Sequence, residues 1–204
     1  MTSPAFAVTW DYRCPYARNA NEHVTTALAD GADWDVQFVP FSLDQTHVAE
    51  DEPAVWEHPD RYPGLLATEA GIIVRDRQPE KFLAVHQALF SARHDESLDL
   101  RDRAVLGDTL AGVLAGAGVD AAAVLAEIDD GWPYESFRKE HEAAAQLEVF
   151  GVPTFMTNDH AVFVRLLDRP LGDADLAVRT IDRIVDLIDE WPMLNELKHT
   201  TVPR

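Results

Sequence analysis

The stretch "WDYRCPYARN", Trp10 to Asn19, carries the only cysteine of the chain. The residues leading into it, "AFAVTWDY" (Ala5–Tyr12), alternate and are rich in β-formers, which predicts a strand. Those that follow, from Pro15 to about Asp30, turn helical in composition and stop at Gly31. Pro15 suits the first position of a helix, where the N–H it lacks has no intrahelical acceptor. Cys14 is therefore expected at the N-cap. Its sulfur would face unpaired backbone N–H groups, those of Tyr16 and Ala17, at the positive end of the helix dipole. Such donors favour a thiolate, and cysteines so placed have pKa values of roughly 3.5 to 7.5 instead of about 8.5. Arg13 and Arg18 would add to that effect, and Asp11 would oppose it.

Outward from this junction, "WDVQFVPF" (Trp34–Phe41) alternates as a second strand whose end is weakened by Pro40. The two strands and the short helix between them make a β-α-β unit with a parallel pair and a right-handed crossover. From Asp44 the pattern changes. "AEDEPAVWEHPDRYPG" reads as an acidic, proline-rich loop with a short turn near Trp56, and helical periods follow. Phe82, Val85 and Leu89 share one face, as do Leu106, Leu110, Val113 and Leu114. Asp120 reads as the cap of a short helix through Ile128, and Pro133 opens another that runs to about Phe150. No strand pattern occurs between Leu43 and Gly151. In "GVPTFMTNDHAVFVRL" two short β runs, Thr154–Thr157 and Ala161–Leu166, flank the turn pair Asn158-Asp159. Asp173 caps a last helix with Ile181, Ile184, Val185 and Ile188 on one face. The order is β-α-β, a helical block, then β-β-α. It predicts an α/β domain over residues 1–44 and 151–204, with an all-helical insertion over 45–150 between the second and third strands.

Composition narrows the partners. Among 204 residues, 17 basic against 36 acidic side chains give a net charge of −19, a field that repels nucleic acid and anionic membrane surfaces. Nowhere do 18 apolar residues run together, so no membrane span is expected. One cysteine cannot form an internal disulfide, and "MTSPAFAVTW" lacks the basic and apolar regions of a secretory leader. Both features read as a protein of the reducing cytoplasm. The histidines show no metal-binding spacing and one cysteine cannot complete a structural zinc site, so no metal is expected. No G-x-S-x-G or phosphate-binding loop is present.

The strand–"CPYA"–helix junction, the helical insertion, and "GVPTF" ahead of a hairpin and final helix together resemble the DsbA-like branch of the thioredoxin superfamily. That branch includes DsbA-type oxidoreductases, kappa-class glutathione transferases, 2-hydroxychromene-2-carboxylate isomerases and mycothiol-dependent reductases. The resemblance covers nearly the whole chain in element order and implies a thioredoxin-like fold. It also implies a cis Val152–Pro153 peptide facing Cys14, with the Val152 backbone pairing to a bound thiol or peptide. The departure is Ala17, where dithiol relatives hold the resolving cysteine, so the chain cannot resolve a mixed disulfide by itself.

Cys14 is thus the expected catalytic residue. Pro15, Tyr16, Tyr12, Val152, Pro153 and Asp173 are the expected thiol- and substrate-binding positions. Tyr12 and Tyr16 would form a wall beside the sulfur. Asp173 would reach a thiol cofactor's polar end in the region where relatives bind it, although helix capping alone accounts for an aspartate there. His86, on the face of Phe82 and Leu89, reads as a hydrogen-bonded core histidine. The leading expectation is a cytoplasmic monothiol oxidoreductase. Its co-substrate would be a low-molecular-weight thiol, mycothiol or glutathione, with no tightly bound cofactor. It would act on a disulfide or electrophilic small molecule. The alternative is a thiol-dependent transferase or isomerase in which Cys14 orients the cofactor, and a third reading is a binding protein without turnover. The apolar tail around Trp191 and Leu194 would cover the chain's own core or a second copy in a homodimer.

Overall fold

A computed structural model describes residues 3–58, 62–117, 119–157 and 160–201, with side chains of 113–117 outside the description. Four strands form one sheet in the order β2-β1-β3-β4. They are β1 (Ala5–Trp10), β2 (Asp35–Pro40), β3 (Thr154–Thr157) and β4 (His160–Phe163). β1 and β2 run parallel from Ala5 opposite Asp35 to Trp10 opposite Pro40. β3 joins β1 antiparallel, Val8 opposite Phe155, and β4 pairs antiparallel with β3. The alternation that predicts β1 reflects one face: Phe6, Val8 and Trp10 are all buried. The expected turn pair Asn158-Asp159, and the expected packing of Val113 and Leu114, lie outside the described residues.

α1 (Pro15–Ala29) follows β1 directly and closes at Asp30 and Gly31, which takes φ 99°. α8 (Ala174–Glu190) packs on α1 through Ala177, Ile181, Val185 and Ile188, the stripe of the last helix. Between β2 and β3 the described residues hold only helices: α2 (Leu43–Thr46), α3 (Leu66–Arg77), α4 (Pro79–His94), α5 (Arg103–Ala117), α6 (Ala121–Asp129) and α7 (Trp132–Gln146), besides single 3-10 turns. One continuous apolar core runs from the sheet through this block. The architecture is the expected thioredoxin-like α/β arrangement with a helical insertion.

Some boundaries differ from the sequence expectation for local reasons. β1 ends at Trp10 because the Asp11 carbonyl turns to accept the N–H of Cys14 (3.0 Å). α7 stops at Gln146, short of Phe150, since Leu147 caps it and Glu148 takes φ 61°. β4 ends at Phe163, and the carbonyls of Leu166 and Leu167 are instead taken by Asn19.

α4 and α3 lock the insertion onto the cysteine end of the sheet. Arg75 of α3 grips Glu140 of α7 with both carboxylate oxygens (2.7 and 2.8 Å) and donates to the Phe38 carbonyl of β2 (2.8 Å). Its guanidinium also lies over the Trp10 ring at 5.6 Å. Gly71 of α3 faces the ring of Tyr12, and a Cβ there would stand 2.6 Å from the phenol oxygen. That hydroxyl is fixed by His86 (2.8 Å) and cannot withdraw. Gly71→Ala is therefore expected to lose about 1–3 kcal/mol of stability despite alanine's better helix propensity, a loss that urea unfolding would register.

Candidate functional site

Cys14 is the N-cap of α1, in extended conformation (φ −90°, ψ 118°), and Pro15 occupies the first helical position. Its Sγ accepts from the N–H of Ala17 at 3.4 Å and, as a thiol, donates to the carbonyl of Val152 at 3.4 Å. The Val152–Pro153 peptide is cis. The sulfur thus sits between the start of α1 and the segment entering β3, and the residue is only 8% exposed. Pro15 is exposed, Tyr16 half-buried, and Val152 and Pro153 buried around it.

The electrostatics correct the expectation of a depressed pKa. Burial pushes the Cys14 thiol up, the N–H groups of Ala17 and Tyr16 pull it down, and the charge of Asp11 adds a further rise. The donors are the two anticipated from the helix N-terminus, but desolvation outweighs them. The flanking arginines do not help, because each is committed elsewhere. Arg13 binds Asp11 through Nη2 (2.7 Å) and Nε (3.1 Å) and also pairs with Asp44; Arg18 pairs with Asp95 (2.7 Å). Asp11 accepts in addition from the backbone N–H groups of Arg13 (2.9 Å) and Leu43 (3.0 Å). This buried carboxylate therefore ties the loop before α1 to the start of α2.

Tyr12 is placed differently from the expected wall. It is 1% exposed, with its ring against His86 (5.3 Å between centroids) and Phe90 (4.8 Å). Asn21 Nδ2 donates to the carbonyls of Ala17 (2.9 Å) and Thr9 (3.3 Å), which leaves Oδ1 to accept from His86 Nε2 (3.0 Å). His86 Nδ1 consequently accepts from the Tyr12 hydroxyl (2.8 Å). His86 is thus a neutral core histidine, as the sequence reading has it, and its pKa is lowered to about 3 by burial and then by Arg75. His94 Nε2 donates to the Tyr12 carbonyl (2.9 Å). Asp173 is the N-cap of α8, accepting from Leu176 N–H at 2.9 Å. Gly172 beside it lines a cleft of about 500 Å³ between α1 and α4, together with Arg18, Thr25, Gln87 and Arg169.

Sequence reasoning missed Asn21, His94 and Arg165. A polar residue on the buried stripe Ala17, Ala20, Val24 is a signal that could have marked Asn21. Arg165 lies 5.2 Å over the ring of Tyr16, a contact between distant segments that no local pattern announces.

The comparisons agree with this geometry. A family model described as a DSBA-like thioredoxin domain matches residues 8–168. No curated protein matches the sequence. Among solved structures, 2-hydroxychromene-2-carboxylate isomerase superposes with TM-score 0.61 at 15% identity, covering 91% of this chain and 98% of that one. A cytosolic disulfide reductase, DsbM, from Pseudomonas aeruginosa with GSH gives 0.58 at 16%, covering 90% and 100%. A DsbA from the same organism gives 0.57 at 20%, covering 90% and 88%. At these identities the likeness is one of fold.

Two expectations follow. Alkylation of Cys14 against pH should show a midpoint above that of an exposed cysteine in a peptide measured alongside, because burial favours the thiol. Stability should also fall in acid. His86 and His141, the latter at about 4 through burial, bind protons in the unfolded chain from the ordinary 6.5 downward, before they do so in the native state. The stability they contribute is whole above about 6.5 and is lost towards about 3–4, so urea unfolding should weaken steadily as pH falls.

Proposed function

Because the chain belongs to the DSBA-like thioredoxin domain family, whose members include thiol oxidoreductases, we propose that it is a monothiol disulfide oxidoreductase acting through Cys14. The observation that carries this reading is the placement of the chain's only cysteine at the N-terminus of α1, against the Val152 carbonyl. The first step is attack of the Cys14 thiolate on a disulfide R–S–S–R. The Cys14–S–S–R bond forms, the original S–S bond breaks, and R–S⁻ leaves and takes up the proton that Cys14 gave up. With alanine at position 17, the adduct waits for a thiolate from solution. That thiolate attacks the R sulfur, restores Cys14 and leaves as a mixed small disulfide. Mycothiol or glutathione is the co-substrate of this reading, and a reducing compartment such as the cytoplasm supplies it. DsbM, solved with GSH, supports a small thiol as partner.

Burial of the sulfur has a consequence for activation. A thiol proton is held by the Val152 carbonyl, whereas the N–H groups of Ala17 and Tyr16 hold a thiolate. A substrate whose backbone or amide pairs with Val152 competes for that carbonyl. The sulfur is then left to its donors. Substrate docking on this edge is in that way coupled to formation of the nucleophile.

The same burial favours a second reading. A Cys14 that stays protonated can donate to the sulfur of a bound thiol cofactor, holding it as a thiolate that attacks an electrophile, which is transferase or isomerase chemistry. Cys14→Ser separates the two. Under the oxidoreductase reading, incubation with a small disulfide adds one thiol's mass to the wild type and none to the variant, and disulfide turnover falls to the uncatalysed rate. Retention by the variant of a thiol-dependent isomerase or transferase activity would move the assignment to the second reading.

A further inference from the structure

The segment that leaves β4 passes beside α1 with its backbone fixed on both sides. Val164 N–H donates to the Pro153 carbonyl (3.0 Å), and Asn19 Nδ2 donates to the carbonyls of Leu166 (2.9 Å) and Leu167 (3.1 Å). Arg165 lies between these anchors and is exposed. Its guanidinium sits over the ring of Tyr16, whose own N–H is one of the two donors to the Cys14 sulfur. The residue before Arg165 is thus bonded to Pro153, next to the Val152 carbonyl that meets the cysteine sulfur, and the Arg165 guanidinium contacts Tyr16, two residues beyond Cys14, so a positive charge lies beside the start of α1.

The other arginines flanking Cys14 are neutralised. Arg13 is bound by Asp11 and Asp44, and Arg18 by Asp95. Among the described residues no carboxylate lies within ion-pair distance of Arg165. The surrounding charge of −19 repels an anionic co-substrate, so an unneutralised cation beside the start of α1 has a large local effect on what approaches. The guanidinium lies over the Tyr16 ring, and arginine N–H groups can pair with a carboxylate in the two-bond geometry that the residue favours.

We propose that Arg165 is a specificity-determining residue of the Cys14 site and takes a carboxylate of the small thiol or disulfide. The site thereby selects carboxylate-bearing thiols of the glutathione type over uncharged ones. This rests on the reading of Cys14 as a thiol-handling site and names which class of thiol it handles.

The test compares glutathione disulfide with the uncharged 2-hydroxyethyl disulfide, following mixed-disulfide formation on Cys14 by intact mass. Arg165→Gln is expected to slow the reaction with glutathione disulfide about fivefold and leave that with 2-hydroxyethyl disulfide unchanged. Raising salt to about 0.5 M should close the gap between wild type and Arg165→Gln towards glutathione disulfide, because the general repulsion is screened in both proteins alike. Where the disulfides react, equal slowing of both reactions, or no slowing of either, would overturn the assignment. A binding measurement keeps the outcome independent of disulfide chemistry. S-methylglutathione, which has no free sulfhydryl, is titrated onto wild type and Arg165→Gln by calorimetry. Binding to the wild type that weakens about fivefold in the variant upholds the proposal even if neither disulfide reacts, a result that would sink the oxidoreductase reading alone. Failure of the wild type to bind, or equal binding by both proteins, sinks the Arg165 assignment.

Discussion

The side-chain amide of Asn21 is sealed inside the protein, and its unmet hydrogen bonds would each cost about 1–3 kcal/mol there. It finds its partners in three elements. Its two N–H groups serve Ala17 in α1 and Thr9 in β1, and its oxygen accepts from His86 in α4, which in turn is held by Tyr12. The helix that carries Cys14 is thereby keyed to the strand before it and to the helical block. Ala17, whose carbonyl Asn21 holds, is the residue whose N–H meets the cysteine sulfur. The position of that donor follows from the network.

A second buried group governs the other side of the junction. Asp11 is nearly inaccessible, yet its oxygens accept from the Arg13 guanidinium and from two backbone N–H groups. A carboxylate so enclosed adds little net stability, because desolvation offsets much of the attraction. Loss of one partner would nevertheless leave a bare charge and cost several kcal/mol. Its role is geometric: it fixes the turn between β1 and α1 against the start of α2. The cost to the cysteine is a negative charge close by, which acts with burial to keep the sulfur protonated.

The parts legible in the sequence are those with a local cause. Pro15 after Cys14 gives the helix start, Asp120 and Asp173 are N-caps as read, and Thr154–Thr157 is a strand with the expected ends. α3 was not legible as a separate helix, because Leu66 to Val74 are all buried and a helix enclosed on every side has no amphipathic period. Tyr12 was legible as a neighbour of Cys14 but not in its direction, which depends on Gly71 leaving room for its ring. The pKa of Cys14 was misjudged for the same kind of reason. The N–H donors are written in the local sequence, whereas the desolvation that overrides them comes from packing of segments far away in the chain.

The sulfur and the carbonyl that shelters it are 138 residues apart. β1 likewise meets β3 only after the whole helical block has been traversed, so the sheet closes through long-range pairing, a slow kind of contact in folding. During synthesis β1, α1 and β2 can emerge and associate early, but their edge and their thiol have no cover until the last quarter of the chain is made. The newly made protein therefore passes through a period in which its cysteine is open to the small thiols and oxidants around it. Protection of the nucleophile is a property of the finished chain, and its alkylation can serve as a timer for closure of the sheet.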